Sequence, residues 1–276
     1  MYRKKMIKGF GVAALILGIA AAKPGFLKTV DASAATAQET AGDLSGEDGV
    51  QDQEAKKDQD EEISITKKTY SHEFKTKQGV IYKKISYEYP VANDESPAAD
   101  AFNGFYQKRR KEWIKNAKNN LKDAKQDVTQ HKDSPAMHYA DEVTCEFVQN
   151  GQYISVLQSG YDYTLGAHGM PYRIAYFFKT DTGENISAAQ ILGISKKELN
   201  SQVSDLFWKK YKKLKDSKKS PFYNTAIASE KSLKGALKKM DFSDSCYLKN
   251  GKLRFYADPY ALGPYAAGFI EVAIKL

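Results

Sequence analysis

One stretch of the chain combines a potential base, a potential orienting carboxylate and a permissive backbone: Tyr161-Asp-Tyr-Thr-Leu-Gly-Ala-His-Gly-Met-Pro171. His168 could serve as a general base with Asp162 as its carboxylate partner. A structural reading competes with this and is preferred: Gly166 and Gly169 permit a bend or bulge, and His168 hydrogen-bonds to nearby backbone. Elsewhere the spacings that chemistry requires are missing. His72, His131, His138 and His168 form no pair at metal-ligand spacing. Ser155 and Ser159 lack the Gly-x-Ser-x-Gly setting of a nucleophile elbow, and there is no phosphate-cradling glycine loop or Cys-x-x-Cys pair. The expectation is a chain with no catalytic residue, no cofactor and no metal site.

A second group of candidates is aromatic. Phe255, Tyr256, Tyr260, Tyr265 and Phe269 invite a sugar-stacking reading, although residues at strand spacing more often pack into a core. The two cysteines, Cys145 and Cys246, each open an expected hairpin strand, so they either pair in one disulfide or remain as two buried thiols.

These residues must be positioned by the elements around them. Residues 1–8 carry Arg3, Lys4, Lys5 and Lys8, and Gly9 to Ala22 is uncharged and apolar, which is the layout of a secretory signal. The run is shorter than the ~20 residues of a spanning helix, so cleavage after Ala34 or Ala37 is expected, with an uncleaved N-terminal anchor as the alternative. Either way the bulk of the chain is expected outside the cell, secreted or at the cell surface, meeting the membrane only through an uncleaved N-terminal segment. No cysteine is placed for a lipid anchor. Residues 35–62 hold ten acidic residues, two lysines and no aromatic, and such a segment buries too little apolar surface to order itself. It reads as an acidic linker.

From residue 63 the pattern changes to that of a folded domain. Ile63–Thr66 and Val80–Tyr89 alternate as strands; Ala98, Ala101, Phe102, Phe105, Tyr106, Trp113, Ile114, Ala117 and Leu121 recur at helical spacing, giving one long helix over 96–124. After a polar connection with His131 and Pro135, strands 137–149, 152–163 and 172–179 follow, then helices over 196–215 and 228–240, and closing strands over 247–249, 252–257 and 269–274. Asn150-Gly151 and Asn250-Gly251 are hairpin turns. The expected class is α+β: antiparallel sheets packed with a long N-terminal helix and two later helices, with no βαβ rhythm. The expected division is a signal or anchor (1–34), an acidic linker (35–62), an N-terminal α+β part (63–130) and a C-terminal α+β domain (131–276).

Tyr163-Thr-Leu-Gly-Ala-His-Gly169 together with Asp258-Pro-Tyr-Ala-Leu-Gly-Pro-Tyr-Ala-Ala-Gly268 resembles the extracytoplasmic domain of RsiV-type anti-sigma factors, which also accompanies some peptidoglycan deacetylases. The resemblance marks Tyr163, Gly166, His168, Gly169, Tyr260, Tyr265 and Gly268 as family motif residues, structural or binding. It implies an envelope domain without catalysis, which in the sensor proteins recognises lysozyme. Eight residues before the apolar run leave no room for a sigma-binding segment, so recognition alone is expected. Residues 63–276 carry +11 of charge against a chain total of +8. Such a body favours anionic partners and repels basic lysozymes at long range, which keeps acidic wall polymer as the second ligand class beside a lysozyme-like protein. Nucleic acid is not expected for an exported chain. The alternative function is an accessory peptidoglycan-modifying enzyme of hydrolase or deacetylase type.

Overall fold

The computed structural model describes residues 63–130, 137–224 and 227–276. The expected leader, the acidic linker, and His131 and Pro135 lie outside the described residues. Six strands, β1 (Ile65–Lys75), β2 (Ile81–Ala92), β3 (Tyr139–Gln149), β4 (Tyr153–Tyr163), β5 (Met170–Lys179) and β6 (Asn185–Ile186), form one sheet in chain order. A second sheet holds β7 (Cys246–Lys249), β8 (Lys252–Ala257) and β9 (Ile270–Lys275). The helices are α1 (Pro97–Ala117), α2 (Leu121–Gln130), α3 (Ala188–Ile191), α4 (Lys196–Leu214) and α5 (Glu230–Lys239). The α+β class and the two later helices are therefore present; among the described residues no helix is long and apolar enough to cross a membrane.

Two expectations are corrected. The single long helix over 96–124 is instead α1 and α2, separated by residues 118–120. α1 starts where expected, with the Ser96 hydroxyl accepting from the Ala99 amide and Pro97 in the first turn. It ends because a side chain distant in sequence claims its last turn. Lys83, on β2 and only 1% exposed, donates to the Ala117 carbonyl at 2.5 Å and to Asn120 Oδ1 at 2.6 Å. An ammonium at a helix C-terminus answers both the unpaired carbonyl and the negative end of the dipole. The second correction concerns strand direction. β2 and β3 pair in parallel, with Ile85 opposite Asp141, and α1 and α2 form the crossover that parallel pairing requires.

The turns follow their residues. Gly151 (φ 73°) turns the β3–β4 hairpin, where the Asn150 side chain accepts from the Tyr153 amide at 3.2 Å, and Asn250 (φ 53°) and Gly251 (φ 66°) close β7–β8 as the left-handed pair that this dipeptide adopts at least cost. At Gly160 the reason for glycine is contact: a Cβ there would lie 2.1 Å from the ring of its cross-strand neighbour Tyr172.

One core lies between α1 and the large sheet, where Phe102, Tyr106 and Trp113 meet Ile85, Tyr87, Val156 and Phe178. A second joins α4 and α5 to the small sheet through Leu199, Val203, Phe207, Leu233 and Leu237 against Leu248, Leu253 and Phe255. The opposite face of the small sheet packs on β4 and β5: Tyr247, Tyr256 and Phe269 meet Leu157 and Ala175, and the Leu248 amide donates to Ser155 Oγ at 2.9 Å. Cys145 and Cys246 are separate free thiols, each buried in a different one of the two main cores, so the second of the two cysteine readings describes this structure.

Candidate functional site

Charge adds to the apolar link between the large and small sheets. Arg173 on β5 reaches Glu271 on β9 at 2.6 Å, Arg254 approaches the same carboxylate at 3.5 Å, and the Tyr247 hydroxyl donates to it at 3.0 Å. Burial pushes the Glu271 carboxyl up, but Arg173, Tyr247 and Arg254 outweigh that and hold it below its ordinary value. The Arg173 guanidinium also lies 4.2 Å from the Phe269 ring centroid. With this clamp in place, the loop after β4 (residues 164–169) and the loop after β8 (residues 258–269) face one another.

The first loop is set by backbone geometry. Leu165 (φ 67°) and Gly166 (φ 102°) turn it through left-handed conformations, and Tyr163 donates to the Gly166 carbonyl at 3.3 Å. Its exit is fixed at Gly169, whose amide donates to the Tyr161 hydroxyl at 2.8 Å. Any larger residue at that position would place a Cβ 2.4 Å from Tyr161 Cζ. The second loop ends in a 3-10 turn over Tyr265–Ala267 that closes on Gly268, at φ 60° and ψ −141°, a conformation in effect open to glycine only.

The two loops meet at His168. Its ring stacks on Tyr265 with centroids 3.9 Å apart and planes inclined by 19°, and the Tyr265 hydroxyl donates to the Gly169 carbonyl at 3.0 Å. His168 Nδ1 lies 3.0 Å from the same carbonyl. A carbonyl only accepts, so Nδ1 carries the proton and Nε2 is the nitrogen left for a ligand. Tyr260 stands 5.7 Å from Tyr265, ring to ring, held at φ 68° and 46% exposed. A left-handed tyrosine is strained, and here the strain presents the ring to solvent.

The seven motif residues thus fall into two roles. His168, Tyr260 and Tyr265 form an aromatic platform in which His168 and Tyr260 are exposed and Tyr265 is half-buried, while Tyr163, Gly166, Gly169 and Gly268 shape the loops that carry it. Asp162 does not orient His168: its Oδ1 is buried and has no hydrogen-bond partner, and the imidazole is held by Gly169 and Tyr265. Of the aromatic residues considered for sugar stacking, Phe255 and Tyr256 are core, Phe269 is half-buried beneath Arg173, and Tyr260 and Tyr265 keep accessible surface. Sequence reasoning passed over the partly exposed Tyr161 and Met170 beside His168, and also Gly263, whose Cβ would lie 2.0 Å from the Pro221 carbonyl. The clue available for Gly263 was its place between Leu262 and Pro264 in the second motif.

Residues 188–276, which contain Tyr260 and Tyr265, correspond to a described family. They match the family model of a protein of unknown function, DUF3298. Residues 76–171 match the family model described as deacetylase PdaC. His168 lies in the PdaC segment and Tyr265 in the DUF3298 segment, so their stacking joins the two. A crystal structure of a DUF3298 family member from Bacteroides fragilis NCTC 9343 is 14% identical and aligns over 77% of this chain and 90% of its own, with a TM-score of 0.52. A DUF3298 family protein from Pseudomonas aeruginosa PAO1 is 12% identical and aligns over 78% of this chain and 92% of its own, with a TM-score of 0.48. The first of these likenesses is one of fold. A search of curated proteins finds no match.

Proposed function

We propose that this chain is an exported, non-catalytic cell-envelope domain that binds or senses a protein of lysozyme type or a wall polymer through the platform of His168, Tyr260 and Tyr265. The observation that carries the proposal is the convergence of the two motif loops, about a hundred residues apart in sequence, on one stacked pair in which His168 is exposed and Tyr265 half-buried. Rigid rings with one polar edge give contact area at small entropic cost, and they serve equally for a sugar face or a protein surface. The RsiV-type resemblance supports the same reading. His168 Nε2 and the Tyr260 hydroxyl supply directional hydrogen bonds at the platform's edge.

The test uses the chain from Ala35 onward, which retains all of the described residues. Retention on purified wall material and on lysozyme is measured for this protein and for Tyr265→Ala and His168→Ala. A ligand held by the platform should lose about tenfold or more in affinity with Tyr265→Ala while the variant stays folded. Unchanged binding by both variants would refute the platform.

The description of the PdaC family model favours a second reading, an accessory role in peptidoglycan modification. Wall turbidity and amine release measured on the same protein decide it: turnover by the domain would displace the binding reading.

A further inference from the structure

The positive charge of the folded domain is not spread over it. Between Lys196 and Lys239 there are thirteen lysines and four acidic residues, so this stretch carries +9 of the +11 found over residues 63–276. The stretch is α4, α5 and their connection. α4 buries Leu199, Val203, Phe207 and Tyr211 in the core, and the intervening lysines are left on its outer surface. Some are neutralised: Lys196 by Asp241, and Lys212 and Lys215 by Glu230. Lys197, Lys213, Lys218, Lys219, Lys231 and Lys239 are exposed, and among the described residues no carboxylate lies within ion-pair distance of them. Between the two helices runs an open cleft of about 670 Å³ lined by Lys196, Lys197, Lys238, Ser201 and Ser204, together with Asp205.

A solvated helix face needs only scattered charge of both signs for solubility. Here lysines gather at the two ends of α4, Lys196 and Lys197 at its start and Lys209, Lys210, Lys212 and Lys213 at its end, with Glu198 and Asp205 between them, and Lys238 and Lys239 of α5 add to the same sign. A lipid surface would call for apolar side chains beside the lysines. Here the Trp208 ring is flanked by the ammonium groups of Lys212 and Lys234, at 5.1 and 4.5 Å, and Leu199, Val203, Phe207 and Tyr211 of α4 are buried. The one exposed large apolar residue among the described residues of the stretch is Ile227 in the α4–α5 connection, too little for an apolar face.

We propose that the lysine face of α4 and α5 is a second docking surface, separate from the aromatic platform, which takes a linear phosphodiester polyanion of the cell wall and seats its phosphates along the α4–α5 cleft. The cellular source of that polymer rests on the export reading above; the capacity to bind a phosphodiester chain does not. Point ammonium charges on flexible stems suit phosphates that recur along a polymer, and the lysines need no fixed partner geometry. Such binding weakens steeply as salt rises, because each phosphate contact releases a counterion.

The experiment titrates the chain from Ala35 with poly(glycerol phosphate) at low and at physiological salt. Its variants are Lys197→Glu with Lys238→Glu in the cleft and, as an equal change in net charge elsewhere, Lys68→Glu with Lys77→Glu near β1. The cleft pair should lower affinity about tenfold and flatten the salt dependence, whereas the distant pair should change affinity less than about twofold. All four lysines are exposed, so unchanged thermal unfolding verifies the fold. Absence of binding by the parent protein, or an equal loss in both pairs, would overturn the proposal. So would tighter retention on vesicles of equal parts phosphatidylglycerol and phosphatidylcholine than on the polymer, which would assign the face to a membrane. Tyr265→Ala separates this proposal from the platform: polymer binding lost with Tyr265→Ala but kept by the cleft pair sinks the lysine face and leaves the platform standing. The reverse pattern sinks the platform's claim to the polymer alone.

Discussion

Replacing Lys83 by methionine tests the physical account of the break between α1 and α2. Methionine keeps the length and burial of the side chain but removes the ammonium that donates to the Ala117 carbonyl at 2.5 Å and to Asn120 Oδ1 at 2.6 Å. Hydrogen bonds to a charged group are worth about 1.5–3 kcal/mol each, and a buried acceptor left alone costs about 1–3 kcal/mol. Against this, methionine is far cheaper to bury than an ammonium, so the two losses do not simply add. The net expectation is a destabilisation of about 3 kcal/mol. For a domain of this size that corresponds to a fall in Tm of about 6–12 °C. Urea unfolding followed by tryptophan fluorescence reads it directly, since Trp113 lies on α1 one turn before Ala117. Asn120→Ala, which removes one partly exposed partner, should cost about 1 kcal/mol. If Lys83→Met were within about 0.5 kcal/mol of the parent, an apolar plug would terminate α1 equally well and the electrostatic account would fail.

Gly160→Ala drives a Cβ to 2.1 Å from the Tyr172 ring and should destabilise by about 1–3 kcal/mol, whereas Gly104→Ala, with open space around it, should be neutral or slightly stabilising in thermal unfolding. Burial holds the thiol of Cys145, pushed up to about 12, and that of Cys246, also raised, in the protonated form. Neither should react with a thiol reagent in the native protein, both should react once it is unfolded, and the non-reduced mass should equal the reduced mass. Partial burial pushes the Asp241 carboxyl up, but Lys196 and hydrogen bonds from Ser243 and Asn200 outweigh it and bring the value down to about 2. A carboxyl held below its unfolded value stabilises the fold fully above about pH 4 and loses that contribution as the pH falls toward about 2. The stability difference between the parent and Asp241→Asn should shrink over that interval, and the effect should be small because half of the side chain is exposed.

The elements that a short window determines were legible from the residues. Both Asn-Gly turns, the helix starts at Ser96 and Ser195, and the apolar faces of α1 and α4 depend on neighbours three or four positions away. What was missed depends on distant partners. The apolar spacing continues through Leu121 and Ala124 across the turn-favouring Asn119 and Asn120, and the side chain that meets the end of α1 is Lys83, more than thirty positions earlier. The parallel pairing of β2 and β3 was hinted at only by a connection long enough to cross a sheet. The exposure of Tyr260, as against the burial of Tyr256 four residues before it, is decided by a left-handed backbone at Tyr260 that its own residue type disfavours. The lysine face was present in the composition as a net charge, and only the placement of α4 beside α5 turns that number into a surface.

The stack of His168 on Tyr265 spans two stretches that family models describe separately. A gene cut between residues 171 and 188 would yield two pieces, each keeping its own signature and neither holding both rings. On the binding reading proposed above, a clipped molecule would lose the stacked pair outright rather than by degrees.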